Sequence, residues 1–430
     1  MAIEFYKEFG KNGYLANYSN YGFYKNNIFY KTVEHYYQSE KFDNNEIKEK
    51  IINSNTPKEA SNIGRDRNNL RKNNFSSIKN QVMFDGVLEK FRQNKSILYK
   101  LIETRNEEII ENTVDEYYWG IGKDKSGENH FGKILMKARN TLKKELIEKL
   151  IDECKNRDVY ILGHPNSDAD SIFSSLLLSR VLKSLGCKSH FCILNDGYMY
   201  SENDKKIILK HLKENPEIIS DITDKKFILV DHNNLNNLSK NNILAAIDHH
   251  IISGEIENVI EIEYASTGLL IYDLFKDYYS FSCEDKFIIG LTVLTDTDYL
   301  CSSRFSYEDK KIYDSLELNI NSKEYQKNYF CTTQLFENMD DTIQNNFKKY
   351  NYNSKNISRV LISTYDKEYN DFFDKYCKFL DKKSGIWLLI WCNYEKKQTV
   401  VYLNKNILNL NYITTSTYVV FKELEQNELF

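Results

Sequence analysis

The chain has 430 residues, room for roughly three domains at about 150 residues each, and is far above the size at which a fold needs disulfide or metal staples. It is 41% hydrophobic, 28% charged and 14% aromatic, which excludes a disordered chain, a collagen-like repeat and a coiled-coil rod. A net charge of −4 and a pI near 6.1 remove the basic excess that would make non-specific nucleic-acid binding the default expectation.

The first residues show no basic segment followed by an apolar run, and no apolar stretch approaches the roughly 18 to 20 residues of a membrane span, so a cytoplasmic protein without membrane contact is expected. The eight cysteines form no CxxC pair, which argues for reduced, mostly buried thiols. Only 3 prolines and 16 glycines are present, so Asn, Asp and Ser must build the loops.

In chain order, the first ~145 residues are dense in aromatics and charge and read as mainly helical. Helices are predicted over Glu46–Asn53, Phe84–Arg105 and Gly132–Lys155, with loops at Tyr14–Asn26 and Gly120–Phe131. From Arg157 the texture changes to short apolar runs typical of buried parallel strands: VYILG at 159–163, HFCIL at 190–194, KFILVD at 226–231 and NILAAID at 242–248. Amphipathic stretches at Ile172–Leu185 and Ser201–Glu214 lie between them. The alternation predicts a doubly wound α/β domain whose ligands sit beyond the carboxyl ends of its strands. After a helical Tyr307–Leu316 and a polar stretch at Asn319–Lys327 that suits a hinge, strands are predicted in SRVLIST at 358–364, IWLLIWCN at 386–393 and QTVVYLN at 398–404. These form a smaller α/β C-terminal lobe. The predicted boundaries are 1–148, 157–322 and 330–430.

Several apolar runs end in acids and histidines. The first leads into HPNSDADS with His164, Asp168 and Asp170, the third into DHNN with Asp231, and the fourth into Asp248, His249 and His250. A further apolar segment, IIGLTVLTDTD, read as another strand, delivers Asp296 and Asp298. Carboxylates and imidazoles gathered at strand ends suit hard or borderline divalent cations, manganese better than calcium, and point to two-metal phosphoryl chemistry.

In this order HPNSDADS, DHNN, DHH and LTDT resemble the DHH phosphoesterase superfamily, most closely its manganese-dependent inorganic pyrophosphatase and exopolyphosphatase branch, over about residues 157–430. The resemblance implies two Mn2+ ions, with Mg2+ or Co2+ as alternatives. His164, Asp168 and Asp231 would hold one, and Asp170, Asp231, His249 and Asp296 the other. It further implies that His250 contacts phosphate or the leaving group and that Asp248 orients the histidine pair. NYEKKQTVV at 393–401 and NFKKY at 346–350 look like the substrate-binding segments of that branch, making Lys396 and Lys348 candidate phosphate clamps. Glu395 stands where the branch has an arginine, and Asn234 where the pyrophosphatases have glutamate. An anion at the clamp would repel free pyrophosphate, which favours a phosphoanhydride esterified on one side.

In the first domain, Glu34 lies within the aromatic TVEHYYQ helix, where desolvation would raise its pKa toward an acid/base range; an amphipathic helix with Glu34 facing solvent is the competing reading. The loop WGIG…GENHFG supplies glycines for close backbone approach before a helix N-terminus. LANYS, TVEHYYQSEKF, Gly64-Arg65, YWGIG and GENHFGKILM together resemble the NADAR (YbiA-like) family of N-glycosidases over residues 3 to about 145. The resemblance implies cleavage of N-glycosidic bonds in ADP-ribose-like or riboflavin-pathway compounds. Glu34 becomes the candidate catalytic carboxylate, with Asn17, Arg65, Trp119, Gly120 and Asn129 shaping the pocket.

The function expected from sequence is therefore a bifunctional hydrolase, an N-glycosidase fused to a dimetal phosphohydrolase. The alternative is a pyrophosphatase or exopolyphosphatase-like enzyme whose first domain only recognises nucleotides or serves in defence-related sensing. Expected partners are a nucleotide or ADP-ribose-type small molecule, with ADP-ribosylated nucleic acid a further candidate and a homodimer a candidate assembly.

Overall fold

The structure, a computed structural model, describes residues 2–165, 167–195, 204–235, 238–250, 256, 258–302, 304–329, 347–352, 355–364, 376, 385–403, 406–412 and 417–429. The chain divides into two compact units, Met1–Asp152 and Glu153–Phe430.

The first unit contains β1 (Ile3–Phe5), β2 (Phe23–Lys25), β3 (Ile28–Tyr30), α1 (Val33–Ser39), α2 (Asn45–Asn53), α3 (Pro57–Arg65), α4 (Phe75–Gln93), α5 (Lys95–Glu103), β4 (Ile109–Glu111) and α6 (His130–Cys154), whose last residues belong to the second unit. The β2–β3 hairpin turns at Asn26 and Asn27, both at positive φ, the backbone a tight primed turn requires. Helix α1 starts where the Thr32 side chain accepts from the His35 amide, and α3 starts at Thr56 followed by Pro57. The single helix expected over 84–105 is two. Asn94 breaks it because its side-chain amide donates to the Lys90 and Gly22 carbonyls, one of which belongs to another segment.

Lys90 is buried with no carboxylate beside it among the described residues. Its ammonium instead donates to the Tyr14 carbonyl (2.5 Å), the Ala16 carbonyl (2.9 Å) and the Ser19 hydroxyl (2.6 Å), satisfying all three of its donors. The 14–19 loop is thereby pinned to α4.

The second unit opens with β5 (Asp158–Leu162), α7 (Ala169–Ser184), β6 (Lys188–Leu194), α8 (Lys205–His211), β7 (Glu217–Ile219), β8 (Lys226–Val230), β9 (Ile243–Asp248) and β10 (Val259–Glu261). The six strands form one sheet in the order β10-β9-β8-β5-β6-β7, and every pairing is parallel. Burial on both faces explains why these strands are continuous apolar runs. β5 has β6 on one side and β8 on the other, so the strand order reverses between β5 and β8, and a crevice opens beyond their carboxyl ends.

Helices α9 (Thr267–Phe275), α10 (Cys283–Asp296), α11 (Tyr307–Ser315) and α12 (Ser322–Tyr329) follow. Two expectations change here. The segment ending in Asp296 is a helix, since a short apolar run fits a buried helix as well as a strand, and a capping box at Ser282 and Asp285 selects the helix. Most of the polar stretch expected as a hinge is α12, whose composition suits an exposed helix.

A separate sheet, ordered β11 (Phe347–Tyr352), β12 (Lys355–Thr364), β13 (Ile386–Asn393), β14 (Gln398–Leu403) and β15 (Asn406–Leu410), is antiparallel except for the β12–β13 pair. α13 (Thr417–Gln426) packs on it through Val420, Phe421 and Leu424. The Tyr394 hydroxyl donates to Asp298 Oδ1 (2.9 Å), tying the end of β13 to the end of α10. Among the described residues six cysteines are free and four of these are buried. No helix among the described residues is long and apolar enough to cross a membrane.

Gly268 sits in the first turn of α9, where a Cβ would lie 2.3 Å from Thr292 Oγ1 on α10. Gly268→Ala is therefore expected to lower the unfolding free energy of the second unit by about 1–3 kcal/mol, read by urea denaturation; an unchanged midpoint would contradict this packing.

Candidate functional site

Two clusters of candidate functional side chains stand in the structure, one in each unit.

In the first, α1 presents Glu34 inward, 3% exposed, and both carboxylate oxygens are engaged. Asn17 Nδ2 donates to Oε2 and Gln38 Nε2 to Oε1, each at 2.7 Å, and the Glu34 amide donates to the Asn17 carbonyl (3.1 Å). Asn17 belongs to the loop that Lys90 pins. Gln38 is one helical turn beyond Glu34 and meets α3 at Gly64, where a Cβ would fall 1.9 Å from Gln38 Oε1. Burial raises the Glu34 pKa, while the Gln38 hydrogen bond and the positive charges of Lys41 and Arg65 pull it down. Lys41 is itself buried, with Nζ 5.1 Å from the Tyr37 ring centroid, and burial lowers its pKa to about 8 against the opposing pull of Glu34.

Trp119 meets Tyr37 edge-on at 5.7 Å, so it stands against the helix that carries Glu34. Arg65, the last residue of α3, is exposed. Asn129 and Gly120 serve the backbone: Asn129 donates to the Ile109 carbonyl (2.9 Å) and accepts from the Glu111 amide (3.0 Å), while a Cβ on Gly120 would strike Thr113 Oγ1 at 2.0 Å. Both therefore act on the backbone around the end of β4.

In the second unit the carboxyl ends of β5, β8 and β9 and the end of α10 converge. His164 Nε2 lies 3.4 Å from Asp168 and 3.3 Å from Asp231. His249 Nε2 lies 3.3 Å from Asp231, 3.2 Å from Asp296 and 3.8 Å from Asp170. Three trios, His164/Asp168/Asp231, Asp170/His249/Asp296 and Asp231/His249/His250, each place one ligand atom apiece within 4.8 Å of one another. Asp231 is common to two of them and adopts φ +62°, a left-handed backbone uncommon outside glycine.

The surrounding residues orient these groups. His249 Nδ1 contacts the Tyr264 carbonyl (2.9 Å) and His164 Nδ1 the Pro165 carbonyl (2.8 Å), so each Nε2 faces the carboxylates. The buried His249 Nε2 has no hydrogen-bond partner among the described residues, as expected of an imidazole nitrogen turned toward a cation. Asp170 accepts from the Thr267 (2.7 Å) and Gly268 (3.0 Å) amides at the start of α9 and from Ser174 Oγ (2.8 Å). Asp248 accepts from Asn233 Nδ2 (2.7 Å) and contacts His250 Nδ1 (2.8 Å). His250 is exposed.

Electrostatics follow the crowding. Burial and the charges of Asp231 and Asp296 hold the Asp170 carboxyl well above its ordinary range. Burial would also raise Asp231, but His164 and His249 hold it well below. Burial disfavours a charge on His164, yet Asp168 and Asp231 lift it to about 12. These are the shifts of acids and imidazoles that compensate one another's charge, and a mixed Asp/His donor set of this kind could hold a divalent cation.

Lys396 lies exposed in the β13–β14 turn beside exposed Glu395. Lys348 lies in β11 opposite Arg359, and its side chain falls outside the described residues.

Sequence reasoning missed several groups near these clusters. Gln38 carried a usable signal, its spacing of four from Glu34 on one helix. Asp204 and Glu111 carried none. Asp204 accepts from the Ala169 amide (3.2 Å), and burial followed by the charge of Asp168 raises it to about 7. Glu111 ends β4, and its Oε2 is buried without a partner among the described residues.

Residues 4–143 match the NADAR domain, and residues 158–307 match the N-terminal domain of the DHH family. The chain is 35% identical over 146 residues to the N-glycosidase Npun_R5314 of Nostoc punctiforme, an overlap of 33% of this chain and 94% of that protein. It is 32% identical over 140 residues to the N-glycosidase YbiA of Escherichia coli, covering 33% of this chain and 88% of that one. Over 170 residues it is 29% identical to a manganese-dependent inorganic pyrophosphatase of Methanothrix thermoacetophila, 37% of this chain and 53% of that protein. Fold, clusters and relatives together define a two-domain hydrolase. Through its first unit the chain belongs to the NADAR family, and its second unit carries a DHH-family domain.

Burial, then the charges of Glu116 and Glu34, push the Glu111 pKa up to about 8. A folded pKa above the unfolded value of about 4.3 means that stability is lost as pH rises through that window and stays low above pH 8. Glu111→Gln removes the ionising group, so its melting temperature relative to the parent is expected to rise from pH 5 to about pH 8 and level off above it. A pH-independent difference in thermal melts would refute the assignment.

Proposed function

We propose that the chain is a bifunctional hydrolase, cleaving an N-glycosidic bond in an ADP-ribose-type compound and, at a dimetal site, a phosphoanhydride or phosphodiester bond. The observation that carries the reading is the pairing of a buried carboxylate clamped by two amides in the NADAR unit with the Asp231-centred cluster in the DHH unit.

In the first unit, Glu34 is poised to stabilise positive charge developing at the ribose C1′ as the bond to nitrogen breaks. Asn17 and Gln38 hold it in one orientation. Trp119 offers an aromatic face to a base, and Arg65 a guanidinium to a phosphate. ADP-ribosylated guanine, free or in nucleic acid, and NAD-related compounds are the substrate candidates.

In the second unit, His164, Asp168 and Asp231 would hold one divalent cation and Asp170, Asp231, His249 and Asp296 a second, with Mn2+ favoured by the name of the pyrophosphatase relative. Such a pair supplies an activated water and a Lewis acid toward phosphorus. His250, whose Nδ1 contacts Asp248, would meet phosphate or the leaving group, and Lys396 and Lys348 are the clamp candidates. Glu395 in the same turn as Lys396 disfavours free pyrophosphate and favours a phosphate esterified on one side.

The test is product analysis by mass spectrometry on ADP-ribosylated guanosine with Mn2+. Release of guanosine and ADP-ribose, or AMP and ribose phosphate, is expected from the parent protein. Glu34→Gln should slow base release by about 100-fold or more while phosphohydrolysis persists, and Asp231→Asn or chelation should do the reverse. No base release by the parent, or no effect of Glu34→Gln, would favour a first unit that only recognises nucleotides.

A further inference from the structure

We propose that Arg304 is a substrate-binding residue of the second unit, a guanidinium that takes a phosphate of the substrate at the open side of the Asp231-centred cluster. The inference rests on the phosphohydrolase reading of that cluster and adds to it a group that recognises the anion.

Arg304 is placed by a strained backbone. After α10 ends at Asp296, three successive residues, Asp298, Tyr299 and Leu300, adopt left-handed φ of +49°, +57° and +66°, a conformation that residues with a Cβ take at a cost. The chain reverses there, and the Cys301 and Ser302 amides both donate back to the Thr297 carbonyl (3.0 and 2.9 Å). A second turn follows, in which the Arg304 amide donates to Ser302 Oγ (3.2 Å) and the Phe305 amide to the Ser302 carbonyl (3.2 Å). α11 then starts at its capping box, and Asp309 anchors it by accepting from the Ala265 amide (3.2 Å), two residues before the Thr267 amide that holds Asp170.

These turns return the Arg304 side chain to Asp296. Nη2 donates to the Asp296 carbonyl (2.6 Å), and the carboxylate of the same residue stands 3.2 Å from His249 Nε2. Carbonyl and carboxylate of one aspartate are so close that the guanidinium lies within about 7 Å of the Asp296 carboxylate. The cluster is open where Asp296 and His250 lie, with side chains 16% and 52% exposed, and closed at Asp170 and Asp231, with 0% and 2%. Arg304 is exposed, and the contact uses one of its five N–H donors. Among the described residues no other group accepts from the guanidinium, which leaves a charged, planar fork able to meet two phosphate oxygens at once. Closing the end of α10 would require only the one donor.

The C-terminal sheet meets the same stretch of chain. The Tyr394 hydroxyl donates to Asp298 Oδ1 (2.9 Å), and the turn beyond Tyr394 is closed by the Lys396 amide donating to Asn393 Oδ1 (2.9 Å). The turn that carries Lys396 is thereby fastened to the segment between Asp296 and Arg304. Lys396 has the anion of Glu395 beside it in sequence, whereas no acid pairs with Arg304 among the described residues. At an opening lined by carboxylates, that uncompensated guanidinium is the donor best suited to a phosphate.

The test uses the full chain with Mn2+ and methylenediphosphonate esterified at one end by a methyl group, an unhydrolysable diphosphate analogue without base or ribose. Arg304→Gln keeps an amide able to donate to the Asp296 carbonyl and removes the charge and the fork. It is expected to weaken binding of the analogue, read by titration calorimetry, by about 10-fold or more. KM for ADP-ribose cleavage should rise by a similar factor with kcat within about threefold, while Mn2+ affinity and melting temperature stay unchanged. Arg304→Lys, which keeps the charge but not the fork, should recover part of the binding. Analogue binding by Arg304→Gln within about threefold of the parent, or a loss of Mn2+ affinity as large as the loss of analogue binding, would overturn the assignment and leave Arg304 as a cap of α10. Failure of the underlying phosphohydrolase reading is separately visible, as a parent protein that neither binds the analogue with Mn2+ nor cleaves ADP-ribose.

Discussion

Four carboxylates, Asp168, Asp170, Asp231 and Asp296, meet within a few ångströms of two imidazoles, and their mutual repulsion governs how the second unit is built. Negative charges so close, partly out of water, are stable only with cations, protons or backbone donors between them. Each of the three appears. His164 and His249 carry raised pKa values between the acids, Asp170 draws two amides from the start of α9, and Asp231 is held ionised by both histidines. The tight α9–α10 contact at Gly268 and Thr292 keeps those amides in place, so even the packing of two helices answers to the charge problem.

The first unit solves a milder problem by different means. A single buried carboxylate, Glu34, needs donors in the right places, and they come from a loop and a helix that must not drift. Lys90 fixes the loop with three hydrogen bonds to oxygen and no opposing charge. The close approach of α3 at Gly64 brackets Gln38. In both units the functional groups lie one step away from a glycine that permits two segments to touch, which is why a methyl group at such positions reaches the site through packing.

Much of the second unit was legible because a parallel sheet covered on both faces forces its strands into unbroken apolar runs, and the strand order places their carboxyl ends together. His164, Asp168, Asp170, Asp231 and His249 stood out as polar residues directly after such runs. The segment before Asp296 misled, because helix and strand cannot be told apart in a short apolar run whose deciding feature is a cap at its far end. In the first unit the aromatic helix left Glu34 open to a buried or a solvent-facing reading that only the fold resolved as buried, whereas Asn129 carried a motif signal whose physical content is the clamping of β4.

By itself the sequence determined which residue types are available at strand ends and on the aromatic helix, because periodicity and hydrophobicity are local properties. Only the tertiary structure decided that Thr267 and Gly268 cradle Asp170 and that Tyr394 reaches Asp298. These pairings join residues distant in the chain, and their energies depend on burial and on atomic separation, neither of which exists until the chain has folded.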